Sequence, residues 1–450
     1  MMSHLLLLVA GCGEPAEPAE PAEPAGAMVV SAASAAVHEQ MGSIVVVSWD
    51  QSAEGSVWVE YSVDEGVWLS SPVTQRPAGM AEELLLGVPF ATAVEFRLAW
   101  DGGTSEVASL VTADLPDGAP RPTLVEGDPA LWDADSPWVL LCIAGASDSV
   151  LGTWSVIVDR LGRVVWAQPS ERGRTSLHTQ LSADGSQILI DQNSFWSTFD
   201  YGASATVDRF DIEGTLIESI PTPGAHHPFT ELPDGSLAWG AINEYFVDET
   251  LTVRSPDGTT RELWNCSAFL DAEGGATDDY CGTNTLSYSA ERDTFLYSFF
   301  SLETMIEVDA QTGETVRYFG HTGDGAWAFE SDEAAFWWQH GGHYTAQGTL
   351  LVSSKNRNNG NETVLIEYAL DEDSETLVEV FRFGDGEGLY GDTMGEADYT
   401  VSGNILHNYG SRIRIREVTP DGQVAWDIGW RADMLGRSTP VPDLYALKSD

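Results

Sequence analysis

The sequence predicts an all-β protein in two parts, a small N-terminal β-sandwich followed by a six-bladed β-propeller. Three observations carry that expectation. An early stretch alternates apolar and polar residues at period two, a turn-and-strand pattern then recurs roughly every fifty residues, and no helical periodicity separates the copies. With 450 residues, 43% of them hydrophobic, and 16 tryptophans, the chain has material for a large core.

The first residues, "MMSHLLLLVAGCG", hold an apolar run too short to span a bilayer. Its end, V-A-G directly before Cys12, resembles a bacterial lipobox, in which the leader is cut before a cysteine that is then lipidated; the stretch ahead of it carries no Lys or Arg, only His4. Residues 1–12 are therefore expected to be a lipoprotein signal segment, and 13–27 a Pro/Glu/Ala linker, "EPAEPAEPAEPAG". Extended at ~3.1 Å per residue, such a linker holds a domain about 40 Å from a membrane. The expected location is the bacterial cell envelope, periplasm or cell surface, with membrane contact through the lipid alone. Oligomeric state is not written in the sequence.

Residues 28–116 are expected to form the sandwich. "SIVVVSWD", "SVWVEYSV", "EELLLGV" and "AVEFRLAWDGG" are strand-length, alternate at period two, and are separated by Gly, Pro or Asp turns. The pattern resembles a fibronectin type III or immunoglobulin-like domain, with Trp49 on an early strand. "LPDGAPRP" marks the boundary, and residues 121–450 form the propeller. One half of its repeat is a turn followed by an apolar strand, with Gly185, Gly235, Gly348 and Gly403 at the turns and Asp293 filling a fifth copy. The other half, a strand, an acidic turn and a second strand, occurs six times, from "VIVDRLGRVVWA" to "IREVTPDGQVAWD". The missing sixth copy of the first half is expected from "PVPDLYALKSD" or from the segment after Arg121.

Seventy acidic against 21 basic residues give a formal charge of −49, which repels nucleic acid and excludes it as a partner. Acidic turns such as "LDEDSETL" and "DAEGGATDDY" read as solvated surface; calcium in one of them stays open, although no ordered D-x-D-x-D-G loop is present. Cys142, inside "WVLLCIAG", reads as a buried apolar residue. Cys266 and Cys281 flank a Gly/Asp-rich loop and suit a disulfide in an oxidising compartment; zinc is the poorer reading, because neither belongs to a C-x-x-C motif or has a nearby histidine.

The nine histidines are unevenly placed. His178, the His226–His227 pair, and His340 with His343 each stand just ahead of a turn-strand half, which brings residues distant in sequence toward the propeller axis. Asp398 aligns with His343, and His407 lies on the strand that follows. His178 reads as packing; His226 and His343 serve turn capping as readily as a site.

The stretches "HHPFTELPDGSL", "QH" followed by a turn and strand ending near Asn356 and Arg357, and "GEADYTVSGNILHNYGSRIRIREVTPDGQVAW" resemble the bacterial arylsulfotransferases. The resemblance spans most of residues 125–430. It implies a six-bladed propeller that moves sulfuryl groups between phenols through a histidine intermediate, without a nucleotide donor, a cofactor or a metal. Carried over by position, His227 and His340 match histidines that hold the sulfuryl group, and Arg357 approximates the arginine that follows. The family's nucleophile histidine lies in a late blade, where this sequence offers only His407. The implied partners are aryl sulfates and small phenols.

Residue chemistry agrees with that implication. A neutral imidazole can attack sulfur or exchange a proton with a phenol, and arginine presents fixed donors to sulfate oxygens. The alternative is a non-catalytic surface propeller that binds a ligand or partner protein, with the histidines as remnants. A metal site built from converging histidines is a third reading.

Overall fold

The computed structural model describes residues 28–448, apart from 65, 146–151, 172, 196–199, 244–247, 274–280, 324 and 359. Cys12 and the Pro/Glu/Ala linker lie outside the described residues. The chain is all-β.

The N-terminal strands form two sheets. Val30–Val37, Val45–Gln51 and Gly79–Leu85 make one; Gly55–Val63 and Ala93–Trp100, flanked by shorter strands, make the core of the other. Alternation does the work here. Val45, Val47 and Trp49 are buried while Val46 and Ser48 are not, so one face of the strand meets Val57, Val59, Tyr61, Phe96 and Leu98 from the opposite sheet. The Trp49 indole N–H donates to Gln51 Oε1 at 3.0 Å, which satisfies its one polar group inside this core.

Beyond residue 121 the strands form six sheets among the described residues, five of them meanders running in chain order. Gly185, Gly235, Gly348 and Gly403 all have positive φ (73°, 82°, 80° and 93°) in hairpin turns closed by the same bond, from the glycine N–H to the carbonyl three residues earlier. Asp293 takes the equivalent left-handed conformation at φ 52°, as aspartate tolerates. The innermost strands are Thr179–Leu181, Ala225–Glu231, Thr283–Ser289, Gly342–Tyr344 and Glu396–Tyr399. In the remaining sheet the edge strand is Met434–Val441, which pairs antiparallel with Trp138–Ala144.

That strand overlaps only the first two residues of the segment expected to supply it. The segment after Arg121 also contributes, because Thr123–Gly127 pairs with Val424–Gly429 at the outer edge of the last sheet. A further edge strand, Ala328–Phe329, runs parallel to Thr376–Phe383.

Neighbouring sheets pack face to face through apolar clusters, for example Leu296, Met305 and Phe319 against Leu350, Val352 and Ile366. The N-terminal sheets join the same system: Met41, Ile44, Leu84 and Leu86 pack with Leu140, Ile157 and Trp166, and the Ser43 hydroxyl donates to the Val165 carbonyl at 2.7 Å. Cys266 and Cys281 form a disulfide, Cα atoms 6.1 Å apart, beginning at the short helix Cys266–Glu273. Cys142 is free and buried. No helix among the described residues is long and apolar enough to cross a membrane.

Candidate active site

His226 and His227 open the inner strand Ala225–Glu231, where the ladder to the next strand is interrupted between Ala225 and Phe229. Pro228 has no N–H to offer a ladder, and the interruption leaves the two carbonyls before it to side chains. The His227 carbonyl accepts from His178 Nδ1 at 3.1 Å, and the His226 carbonyl accepts from the Asn193 amide. His340 stands two residues ahead of Gly342–Tyr344; its N–H donates to the Ser353 carbonyl at 2.9 Å and its Nδ1 donates to the Gly395 carbonyl at 3.2 Å. Gln339, beside it, is fully buried and donates to Ser298 Oγ and to the Phe299 and Thr304 carbonyls.

These anchors bring His227 and His340 onto the wall of one cavity of about 430 Å3. Their rings lie nearly parallel, 13° between planes and 6.2 Å between centroids. The rest of the wall is largely apolar: Leu177, Phe300, Trp338, Met394 and Met434, with Thr283, Asn284 and Asp392 among the polar groups. Trp338 holds φ at 45°, a left-handed conformation uncommon outside glycine, and remains 47% exposed. His227 Nδ1 is 3.0 Å from His226 Nδ1, while His227 Nε2 is buried and without a hydrogen-bond partner among the described residues. An orphaned buried nitrogen costs roughly 1–3 kcal/mol.

A family model described as arylsulfotransferase (ASST) matches residues 141–425, the stretch that supplies every histidine on this wall. The chain belongs to the arylsulfotransferase family. No curated protein matches it. Among solved structures, virginiamycin B lyase from Staphylococcus aureus is 10% identical, with 72% of this chain and 100% of that one covered and a TM-score of 0.39. The Cps50 (Swd1) β-propeller domain of Myceliophteria thermophila is 14% identical, covering 70% and 86% at a TM-score of 0.40. A periplasmic gluconolactonase from Pseudomonas aeruginosa is 13% identical, covering 86% and 99% at 0.41.

Two residues expected at the site of this arylsulfotransferase family member lie elsewhere. Arg357 is exposed, in the turn after strand Leu350–Lys355, and its guanidinium meets His321 Nε2 at 2.9 Å, because the chain has already turned outward there. His407 is fully buried on Ile405–Asn408, the strand next to the edge strand Glu396–Tyr399. It packs against the Tyr409 ring, tilted by 43° with centroids 4.2 Å apart, reaches Ser353 Oγ at 3.1 Å, and lines neither cavity. Burial, with Arg416 nearby, lowers its pKa to about 3.

The cations that do approach the cavity are Lys355 and Arg437. Lys355 is nearly buried, with Nζ 4.4 Å over the Trp338 ring and 3.2 Å from Asp392 Oδ1. Arg437 pairs with Glu396 and places Nη1 3.1 Å from His178 Nε2. It lines a second cavity, of about 170 Å3, together with His343, Asp398, Glu396 and Tyr288. His343 and Asp398, aligned in sequence, face each other across that second space at 3.7 Å.

Neither Lys355 nor Arg437 stood out in the sequence. Lys355 was overshadowed by Arg357, two residues on. Arg437 lies in "MLGRSTPV", which carries no motif, and its only signal is a lone charge on an apolar-flanked strand. Burial lowers His340 to about 4, helped by Arg437 and Lys355, and His227 well below its ordinary value, helped by the neighbouring histidines. Both imidazoles are neutral at pH 7. Among the described residues, no group of three or more His, Cys, Asp or Glu side chains is placed to hold a metal ion.

Proposed function

We propose that this protein transfers a sulfuryl group from an aryl sulfate to a phenol through a covalent intermediate on His227. The observation that carries the reading is the parallel His227–His340 pair on an apolar cavity wall, with His227 Nε2 unpartnered, in an arylsulfotransferase chain. The apolar side chains suit an aromatic ring, and the neutral His227 can supply the attacking electron pair. In the first half-reaction Nε2 bonds to sulfur while the sulfur–aryloxide bond breaks and the phenolate leaves with that electron pair. In the second, the acceptor phenol gives its proton to His340 Nε2 and its oxygen attacks sulfur, which releases His227. The His340 tautomer supports this role, since donation from Nδ1 to the Gly395 carbonyl leaves Nε2 as the basic nitrogen.

The scaffold we propose is a six-bladed propeller over residues 121–450, preceded by a fibronectin III-like sandwich over 28–116. The six sheets, the glycine-marked turns and the filling of the sixth inner position by Met434–Val441 support it. Export and lipid anchoring through Cys12 are part of the same proposal, supported by V-A-G-C and consistent with the Cys266–Cys281 disulfide.

Arg357 lies away from the cavity, and this favours the second reading, a propeller that binds aromatic ligands without turning them over. The two are separated by incubating the protein with 4-nitrophenyl sulfate and a phenol, then measuring 4-nitrophenol release and the sulfated acceptor. Acceptor-dependent release that His227→Ala abolishes supports transfer. Binding of the aryl sulfate with no release at any acceptor concentration supports the second reading.

A further inference from the structure

Behind His227 runs a line of buried polar groups. Tyr297, Glu249 and His226 are fully buried on the strands Thr294–Phe299, Asp248–Arg254 and Ala225–Glu231. The Tyr297 hydroxyl donates to Glu249 Oε1, and burial beside that carboxylate raises the phenol well above its ordinary value, so it keeps its proton. His226 Nε2 lies 3.2 Å from the same oxygen. A carboxylate oxygen accepts, so His226 carries its hydrogen on Nε2 and its lone pair on Nδ1. That lone pair faces His227 Nδ1 at 3.0 Å, which must then be the protonated nitrogen of His227. The second lone pair falls on His227 Nε2, the atom without a partner.

We propose that Glu249 is the positioning residue for His227: acting through His226, it fixes the His227 tautomer that leaves the Nε2 lone pair free to attack. The inference rests on the sulfuryl-transfer reading for what Nε2 attacks, but the tautomer itself does not. As Nε2 bonds to sulfur the His227 ring becomes cationic, and its Nδ1 proton is held against His226, whose Nε2 proton is held against Glu249. The charge is thereby stabilised without a proton leaving the line, and it disappears when the nitrogen–sulfur bond breaks. Gly240 makes the packing possible, because a Cβ there would collide with Glu249 Oε1 and the Tyr297 hydroxyl.

The test reads the imidazole nitrogens of the full chain by 15N NMR and the acylation of His227 by diethyl pyrocarbonate, located by mass spectrometry. In the wild type His227 should show a protonated Nδ1 and a bare Nε2. Glu249→Met combined with Tyr297→Phe removes the acceptor without stranding the phenol; it should shift His227 to at least about 90% of the Nε2-protonated tautomer and slow its acylation at least about tenfold. Tyr297→Phe alone should leave both readings unchanged. In the transfer assay the double variant should lose kcat at least about tenfold with KM nearly constant, since the cavity wall is untouched. A protonated Nε2 in the wild type overturns the proposal, even if the double variant does not fold. So does unchanged tautomer and acylation in a folded double variant. If the tautomer is as expected but the wild type transfers nothing, the sulfuryl-transfer reading fails and the positioning role stands.

Discussion

The His340 ring lies 6.2 Å from that of His227 and within 13° of parallel, although 112 residues of chain separate the two. Both rings stand on the wall of the same cavity. His227→Ala and His340→Ala should each lower the transfer rate at least about 100-fold, the size expected for a lost nucleophile or proton acceptor. Arg357→Ala and His407→Ala should leave kcat within about threefold once protein stability is matched. Initial rates with an aryl sulfate donor and a saturating phenol check all four.

Both histidines are neutral at pH 7, so neither imidazole is charged to protonate the leaving phenolate. Rates across a series of aryl sulfates should therefore rise steeply as the leaving phenol becomes more acidic. The rate should be flat from roughly pH 6 to pH 8 and fall toward pH 4 as His340, with its value near 4, takes up a proton. A pH–rate profile with two donors of different acidity checks this.

Lys355 occupies the place in which Arg357 was expected to act. Its ammonium, between Trp338 and Asp392, can turn toward a sulfate oxygen at the cavity wall. Lys355→Met should weaken binding of the aryl sulfate about tenfold or more, while binding of the uncharged phenol changes little. Calorimetric titration of the two ligands separates the effects.

His407 makes stability sensitive to acid. Its folded value is lowered to about 3 and its unfolded value is the ordinary one near 6.5, so the unfolded chain takes up a proton that the folded chain refuses. The resulting cost is absent above pH 6.5 and grows as pH falls. Against a His407→Phe variant, the wild type should lose about 3 kcal/mol of relative stability between pH 6.5 and pH 4. Denaturant melts of both proteins at the two pH values check the difference.

The disulfide spans a separation of 15 residues and anchors the short helix Cys266–Glu273. Replacing Cys266 and Cys281 by Ser should cost about 3 kcal/mol, the loop-closure entropy returned to the unfolded chain. Urea melts of oxidised wild type and double variant provide the comparison.

What was legible in the sequence follows from the range of the interactions. The four turn glycines and Asp293 announce hairpins because backbone sterics act over a few residues, and all five positions have the positive φ the pattern implied. Trp49 and its alternating neighbours were readable for the same reason. The meeting of His227 with His340 was accessible only through the repeat, which placed both just ahead of an inner strand. Arg437, Lys355 and the burial of His407 were not accessible. Each depends on which neighbouring sheet a side chain faces, and no local pattern encodes that. The helix Cys266–Glu273 escaped because its eight residues, read among acidic turns, carry too little periodicity to register.

The two strand exchanges near the chain's ends bear on the order in which this molecule can be made. Met434, on the cavity wall, and Arg437, bonded to His178, both sit on the strand that pairs with Trp138–Ala144, some three hundred residues earlier. A ribosome delivers the chain from its N-terminus, so the earlier sheets emerge with this edge unfilled. The cavity wall is completed only when Met434–Val441 arrives, and any chain released before residue 434 lacks Met434 and the Arg437 guanidinium. Chemistry that needs Met434 or Arg437 is thereby withheld until that strand has been made.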